Sequence, residues 1–329
     1  MTLPEPAATY ELWGHETAEK NLLQLALSGR MPHAWIFTGP AGVGKATLAF
    51  RLARFLLYRG FSYSHMPMPP ENLAVLPEAP TSAQIAAGSH PDLMVIAPPE
   101  AGKDINVEQI RAVPPFLSMT ASQGSWRIVI VDGAESMNRA AQNALLKVLE
   151  EPSPNSVLIL LAENTGALLP TIRSRARLLR LVTDGAAAID RIAQFDPRIS
   201  ELTQASQQYL WKMAGNAPGQ VLQLLDQDAL TYLNHLLGYM QSPTPELAND
   251  LAKGFAYQPQ FQTVARVLLW LLHQLALGET FGLRPVRLPE LLQFHADAQT
   301  MLAETDGLNL DGNACWHVLL TRLPTIFEA

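Results

Sequence analysis

The protein is a chain of 329 residues, of which 48% are hydrophobic and 16% are charged. This is the balance of a folded globular protein, and the length is enough for two or three domains. The formal net charge of −7 disfavours an independent grip on DNA, because contact with phosphates requires an excess of Lys and Arg.

The sequence also argues against disulfide, zinc and membrane chemistry. Cys315 is the single cysteine, so no internal disulfide and no cysteine cluster for zinc is expected, which fits a reducing cytoplasm. The N-terminal residues lack the basic and then apolar order of a signal peptide. The longest apolar run, residues 267–277, is too short for a membrane span, and we interpret it as a buried helix.

Strands and helices are predicted to alternate through the first half of the chain. A helix over residues 15–29 precedes an apolar strand at 33–39, a glycine-rich loop and a helix that begins at Lys45. Residues 59–91 are rich in proline, which predicts an irregular insertion that ends in a helical turn. The elements predicted after it are strands at 93–98, 127–131 and 156–164, helices at 105–119 and 138–151, and a turn at 168–176 that leads into a short strand. The helix at 105–119 is expected to be interrupted by Pro114 and Pro115, because proline removes a backbone donor and clashes with the preceding turn.

This alternation predicts an α/β fold with a parallel sheet and helices on both faces. From about residue 187 onward only helical patterns remain. We therefore predict an α/β domain over 1–184, a small helical domain over 185–230 and a helical bundle over 231–329. Ligands of parallel sheets bind at the carboxyl ends of strands. The glycine loop, Asp132 and Asn164 all fall at such ends.

The segment TGPAGVGKATLAF (38–50) is close to the phosphate-loop pattern G-x-x-x-x-G-K-[ST]. The pattern's glycines and lysine are present, together with one further glycine, as Gly39, Gly42, Gly44 and Lys45. Ala46 stands where a hydroxyl would meet Mg²⁺, and Thr47 is one position late. Two interpretations stay open at this point: a phosphate-binding loop that has lost its catalytic hydroxyl, and a plain glycine turn between a strand and a helix.

The acidic partner of such a loop is usually an Asp at the end of a neighbouring strand. Asp132 occupies that place, although it would also serve as a turn cap. Gly133 stands where hydrolysing proteins often have a Glu that orients water, and the spacing gives no reason for Glu135 to replace it. Asn164 is either a polar sensor of the bound nucleotide or a simple strand-end turn residue.

Two segments, NALLKVLEEP (143–152) and TIRSRAR (171–177), are together the most specific feature of the sequence. With them, residues 10–225 resemble the delta-prime subunits of bacterial DNA polymerase III clamp loaders, which are AAA+ proteins. The resemblance implies a nucleotide-loop domain, a small helical lid and a helical collar that joins a five-subunit ring. It also implies a stator that does not hydrolyse ATP, in agreement with Ala46 and Gly133.

The family's Ser-Arg-Cys motif falls on Ser174, Arg175 and Ala176. The resemblance implies that Arg175 is an arginine finger for ATP on the adjacent subunit and that Ser174 positions its loop. A guanidinium in that place is worth about 10³ or more in rate. The competing interpretation is a solvated basic face made of the arginines at 173, 175, 177 and 180.

The resemblance also sets expectations for cofactors and partners. No cofactor is required, with at most weak ATP or ADP binding at the degenerate loop. No zinc is expected, because residues 59–91, where many relatives carry a cysteine module, contain no Cys. Gln220 falls near the place of the arginine that the lid of active relatives offers to nucleotide.

The expected partners are the delta and gamma/tau subunits in a hetero-pentamer, with the sliding clamp and primed DNA met through the complex, away from membranes. The alternative function is an active AAA+ ATPase that binds and hydrolyses its own ATP. Lys45 and Asp132 favour it, whereas Ala46, Gly133 and Gln220 oppose it.

Overall fold

A computed structural model describes residues 5–59, 70–100, 102–122, 126–183, 185–258 and 260–327. The chain separates into two compact units. Unit 1 consists of Met1–Glu201 and Gly215–Gln220, and unit 2 consists of Leu202–Ala214 and Val221–Ala329. The three-domain division at residues 184 and 230 stays a prediction.

Unit 1 is built on a five-stranded parallel sheet in the order β2-β3-β4-β1-β5. Successive side chains of a strand point to opposite faces, so both faces of the apolar β1 enter a core. Trp35 and Phe37 pack on one face, and Ala34 and Ile36 pack on the other. The strands are β1 Ala34–Thr38, β2 Leu93–Ile96, β3 Arg127–Val131, β4 Ser156–Ala162 and β5 Arg177–Arg180.

Helices cover both faces of this sheet. The Trp35 face is covered by α1 Glu16–Leu27, α2 Lys45–Arg59 and α3 Pro80–Ala86. The Ile36 face is covered by α4 Val107–Arg111, α5 Val113–Ser118, α6 Arg139–Glu150 and α7 Pro170–Arg173. The chain continues with α8 Gly185–Phe195 and α9 Pro197–Ser200.

The predicted α/β class, with a parallel sheet and a helical C-terminal part, is confirmed. The helix expected over 105–119, with an interruption at Pro114 and Pro115, is two short helices, α4 and α5. Both prolines fall in the first turn of α5, where a missing backbone N–H is tolerated. Of the predicted insertion at 59–91, residues 60–69 lie outside the described residues. Its expected helical turn is α3.

In the described part of unit 2, all regular secondary structure is helical, apart from an isolated β-bridge between Val286 and Phe327. Residues 267–277 lie mostly in a buried helix, as predicted, with Val267 and Leu271 fully buried. Among the described residues no helix is long and apolar enough to span a membrane. The helices are α10 Gln204–Met213, α11 Pro218–Asp226 (which begins in unit 1), α12 Ala229–Gln241, α13 Pro245–Phe255, α14 Gln260–Ala276, α15 Leu288–Gly307 and α16 Gly312–Arg322.

Candidate functional site

A cleft of about 740 Å³ opens over the glycine loop between β1 and α2. Its floor is the loop from Ala41 to Gly44 and the first residues of α2, including Lys45, Ala46 and Thr47. A helix that begins at such a loop directs free backbone N–H groups and a positive dipole end toward an anion. The strand, loop and helix therefore have the arrangement that the sequence motif requires.

The lysine of the loop is turned toward the loop's own backbone. Lys45 Nζ donates hydrogen bonds to the carbonyl oxygens of Gly39 (2.8 Å) and Pro40 (3.0 Å). Burial lowers the pKa of Lys45, and the carboxylates of Glu163, Glu135 and Asp132 act in the opposite direction. Lys45 is therefore held within reach of the loop and of three acidic side chains.

Asp132 lies in the cleft as expected, at the end of β3. Burial raises the pKa of its carboxyl above the ordinary value, while Lys45 and a hydrogen bond from the Gly133 backbone lower it. Because burial is the largest of these effects, the environment disfavours a bare carboxylate. A divalent cation would favour the charged form, so the residue suits a magnesium-assisted site.

Glu135 lies in the cleft as well, although the spacing in the sequence gave no reason to expect it. Gly133 takes a left-handed conformation (φ 72°) and starts a 3₁₀ turn, Ala134–Ser136, that brings Glu135 back to the strand ends. Its Oε1 accepts a hydrogen bond from the Glu163 backbone N–H at 3.3 Å. Its Oε2 is buried without a hydrogen-bond partner among the described residues.

The same turn explains why glycine stands at position 133. A residue with a Cβ in the left-handed region costs roughly 1–2 kcal/mol, and glycine avoids that cost. Restoring a glutamate at Gly133 would therefore strain the backbone at the end of β3. Glu163 also lines the cleft, and only its position directly after β4 would have indicated it.

The N-terminal residues cover one side of the cleft, through Tyr10, Leu12 and Trp13 among others. Arg51 of α2 donates to the backbone oxygen of Tyr10, and the Arg54 guanidinium lies 4.4 Å from the centre of the Tyr10 ring. These contacts attach the segment to α2. No motif marks this segment in the sequence, because its role depends on two arginines more than forty residues away.

His15 connects the start of α1 to the loop. Its Nε2 donates to the Val43 carbonyl oxygen at 2.6 Å, and the side chain is buried. Burial lowers the pKa of His15, so the neutral ring is favoured at physiological pH. We infer a supporting role for the loop backbone, which the sequence did not indicate.

The turn from Gly215 to Gln220 packs directly on the loop and belongs to unit 1. Thr183 Oγ1 donates to the Asn216 carbonyl, and the Gly219 N–H donates to the Gly42 carbonyl at 3.0 Å. A Cβ on Gly42 would lie 2.8 Å from the Gln220 backbone nitrogen. Pro218 and Gly219 line the cleft. Gln220 is not among the lining residues, although the sequence placed it near the position of the lid arginine of active relatives.

Asn164 is not among the residues that line the cleft. Its Oδ1 accepts a hydrogen bond from the Gly166 N–H at 2.7 Å and caps the 3₁₀ turn Thr165–Ala167. This geometry agrees with a strand-end turn residue, and a sensor role for Asn164 stays a prediction. The residues of the predicted set that line the cleft are Gly42, Gly44, Lys45, Thr47 and Asp132.

Ser174 and Arg175 lie outside the cleft, at the end of α7, and both are exposed. Ser174 Oγ donates to the Thr171 carbonyl at 3.1 Å and closes the last turn of the helix. Arg177 differs from a freely solvated side chain, because its guanidinium lies 5.3 Å from the centre of the Trp35 ring. Arg175 therefore does not line the nucleotide cleft of its own chain, and its side chain is exposed.

The residues of the cleft fit the phosphate part of a nucleotide better than they fit catalysis. The loop amides and Lys45 would hold phosphates, and Asp132 would face a magnesium ion. The hydroxyl ligand is missing at Ala46. Over the described ranges, no group of three His, Cys, Asp or Glu side chains is placed to bind a metal ion by itself. The expectation that no zinc is bound stays a prediction.

Comparisons with known proteins find subunits of DNA polymerase III. Residues 14–184 match the family model described as DNA polymerase III, delta subunit. The delta-prime subunit of DNA polymerase III from Pseudomonas aeruginosa is 40% identical over 165 residues, which are 50% of this chain and 48% of that protein. The delta-prime subunit from Haemophilus influenzae is 44% identical over 95 residues, 29% of each chain.

A solved structure of a DNA polymerase III gamma subunit-related protein from Thermotoga maritima aligns with 93% of this chain and 99% of its own, at 18% identity and a TM-score of 0.47. The chain spans about half the length of the Pseudomonas relative and less of the other. The matched family model covers more than half of the chain. The chain therefore belongs to the DNA polymerase III delta-subunit family, and the two relatives described above are delta-prime subunits.

Proposed function

We propose that this chain is a stator subunit of a DNA polymerase III clamp loader and that it helps to load a sliding clamp onto primed DNA. In this proposal it joins delta and gamma/tau subunits in a cytoplasmic hetero-pentamer. It requires no cofactor, binds ATP or ADP at most weakly and does not hydrolyse them. Arg175, positioned by Ser174, acts in trans on ATP that a neighbouring subunit holds.

One observation carries the proposal. The chain keeps the shape of a nucleotide loop around Lys45 and Asp132, but Ala46 offers no hydroxyl and Gly133 occupies the place of the water-orienting glutamate in a left-handed turn. At the same time Arg175 is exposed and outside that cleft. A guanidinium in this place has no reaction to assist in its own subunit.

The position of Glu135 favours a second candidate function, an ATPase that hydrolyses its own ATP. Glu135 lines the cleft with Asp132 and Lys45, and one of its carboxylate oxygens is free of hydrogen bonds among the described residues. Such a carboxylate is able to orient water in principle. Against it stand the three acidic side chains Asp132, Glu135 and Glu163, which act on Lys45 and weaken its attraction for a triphosphate.

The test is the clamp- and DNA-stimulated ATPase activity of the reconstituted complex, with this chain as wild type, Arg175→Ala or Lys45→Ala. The proposal expects Arg175→Ala to lower turnover by about 10³-fold, since an arginine finger has that effect on kcat. It expects Lys45→Ala to change turnover little. Loss of a share of turnover in Lys45→Ala, or hydrolysis by the isolated chain, would establish the ATPase instead.

Assembly needs its own control, because a variant that fails to join the complex would also lower turnover. Size-exclusion chromatography of each variant with the delta and gamma/tau subunits supplies it. We expect both variants to enter a complex of the same size as wild type, because both changes lie in unit 1 at partly or largely exposed side chains. A chain that stays monomeric beside those subunits would refute the stator role.

A further inference from the structure

Arg175 is held against the body of unit 1 by three contacts. Its Nη1 donates to the Thr171 carbonyl at 3.1 Å and lies 3.4 Å from Ser174 Oγ. Its Nη2 forms an ion pair with Glu150 Oε1 at 3.0 Å. Among the arginines at 173, 175, 177 and 180, Arg175 is the one with an ion pair inside the part of the chain that the structure describes. This guanidinium is oriented, although it is exposed.

Glu150 is the last residue of α6 and lies in the NALLKVLEEP segment, to which the function assigned no role. The helix reaches the Arg175 segment at its other end too. Gln142 of α6 is buried, donates to the Ala167 carbonyl at 3.1 Å and accepts from the Leu169 N–H at 2.8 Å. Helix α6 therefore contacts the segment before α7 through Gln142 and the Arg175 guanidinium, which follows α7, through Glu150.

We propose that Glu150 is a positioning residue for Arg175, an inference that rests on the proposed trans role of that arginine. The side chains of Glu150 and Arg175 are 53% and 38% exposed, so the pair is weak. The ion pair nevertheless favours one rotamer of Arg175. A long side chain that is already held in one rotamer loses less conformational entropy when it binds a partner. A phosphate group competes for the same guanidinium, because a pair this exposed is easily exchanged.

This role predicts a particular kinetic pattern. A finger acts on charge that develops in the transition state, so its misplacement lowers kcat and leaves KM unchanged. An exposed ion pair of this kind corresponds to about a two- to fivefold change in rate. If Glu150 instead sequestered Arg175, its removal would raise turnover.

The experiment measures kcat and KM for ATP in the reconstituted, clamp-stimulated complex with Glu150→Gln in this chain. The matched control is Glu151→Gln, which removes the neighbouring exposed carboxylate, one that has no ion pair among the described residues. We expect Glu150→Gln to lower kcat two- to fivefold at constant KM and Glu151→Gln to change neither. In an Arg175→Ala background, Glu150→Gln should have no further effect.

The outcomes separate this inference from the proposed function. The positioning role is wrong, and the stator role stands, if Arg175→Ala lowers turnover but Glu150→Gln has a turnover equal to or above that of wild type. The same conclusion follows if Glu150→Gln lowers turnover by the same factor in the Arg175→Ala background. If Arg175→Ala itself has no effect on turnover, both are wrong. Thermal unfolding of Glu150→Gln serves as the folding control, and an exposed carboxylate is expected to shift it little.

Discussion

Replacing Gly42 by alanine tests how the loop is held by the turn at Gly215–Gln220. Gly42 has φ 70°, and an added Cβ would lie 2.8 Å from the Gln220 nitrogen. The left-handed conformation alone costs an alanine about 1 kcal/mol. The overlap with backbone cannot be relieved by a side-chain rotation, and overpacking of this kind adds about 1–3 kcal/mol.

Gly29→Ala is the matched control, because Gly29 has φ 66° and an added Cβ meets nothing within 4 Å. Gly29→Ala therefore has the cost of the left-handed backbone conformation but no overlap between the added Cβ and other atoms. In a unit of this size about 1 kcal/mol shifts Tm by about 2–4 °C. We therefore expect Gly29→Ala to lower Tm by about 2–4 °C and Gly42→Ala to lower it by at least twice as much.

The assay is thermal unfolding followed by circular dichroism, together with hydrogen exchange of the peptide that contains Gly219. The Gly219 N–H donates to the Gly42 carbonyl, so Gly42→Ala should speed its exchange, and Gly29→Ala should not. Equal Tm shifts for the two variants, or unchanged exchange at Gly219 in Gly42→Ala, would refute the contact between loop and turn.

Two further predictions concern stability. Burial lowers the pKa of His15 below its unfolded value of about 6.5, so the unfolded chain binds more protons and stability should fall as pH drops below about 6.5. In urea titrations at pH 7.5 and 5.5, His15→Gln should lose less stability between the two values than wild type, and an equal loss would contradict the assignment. Leu271→Ala, at a fully buried position of α14, should cost about 2–5 kcal/mol, while Leu277→Ala, at a side chain 67% exposed, should stay within about 0.5 kcal/mol. Similar urea midpoints for these two variants would show that α14 is not part of the core.

The sequence predicted the three central strands β1, β3 and β4 well because each is a short, mostly apolar run buried on both faces. β3 and β4 are examples, with every residue buried. The nucleotide loop was predictable for a different reason, since its chemistry depends on residues that are adjacent in the chain. Gly42, Gly44, Lys45 and Thr47 therefore appear together in the cleft.

The remaining parts of the site depend on contacts between distant residues. Glu135 enters the cleft because a left-handed glycine starts a 3₁₀ turn, and residue spacing alone does not reveal the direction of such a turn. His15 reaches the loop across 28 residues of sequence. Asn164, which the sequence placed at a strand end like Asp132, caps its own turn because a local backbone N–H is within reach of its amide.

The amino-acid sequence by itself determined the α/β class, the loop with its missing hydroxyl and the family resemblance, because apolar periodicity and contiguous motifs are local properties of the chain. Tertiary structure alone decided that three carboxylates act on one lysine, that the Gly215–Gln220 turn packs on Gly42, and that Glu150 forms an ion pair with Arg175. These contacts join segments that lie 25 to 177 residues apart in the chain, and no local sequence pattern predicts contacts between residues so far apart.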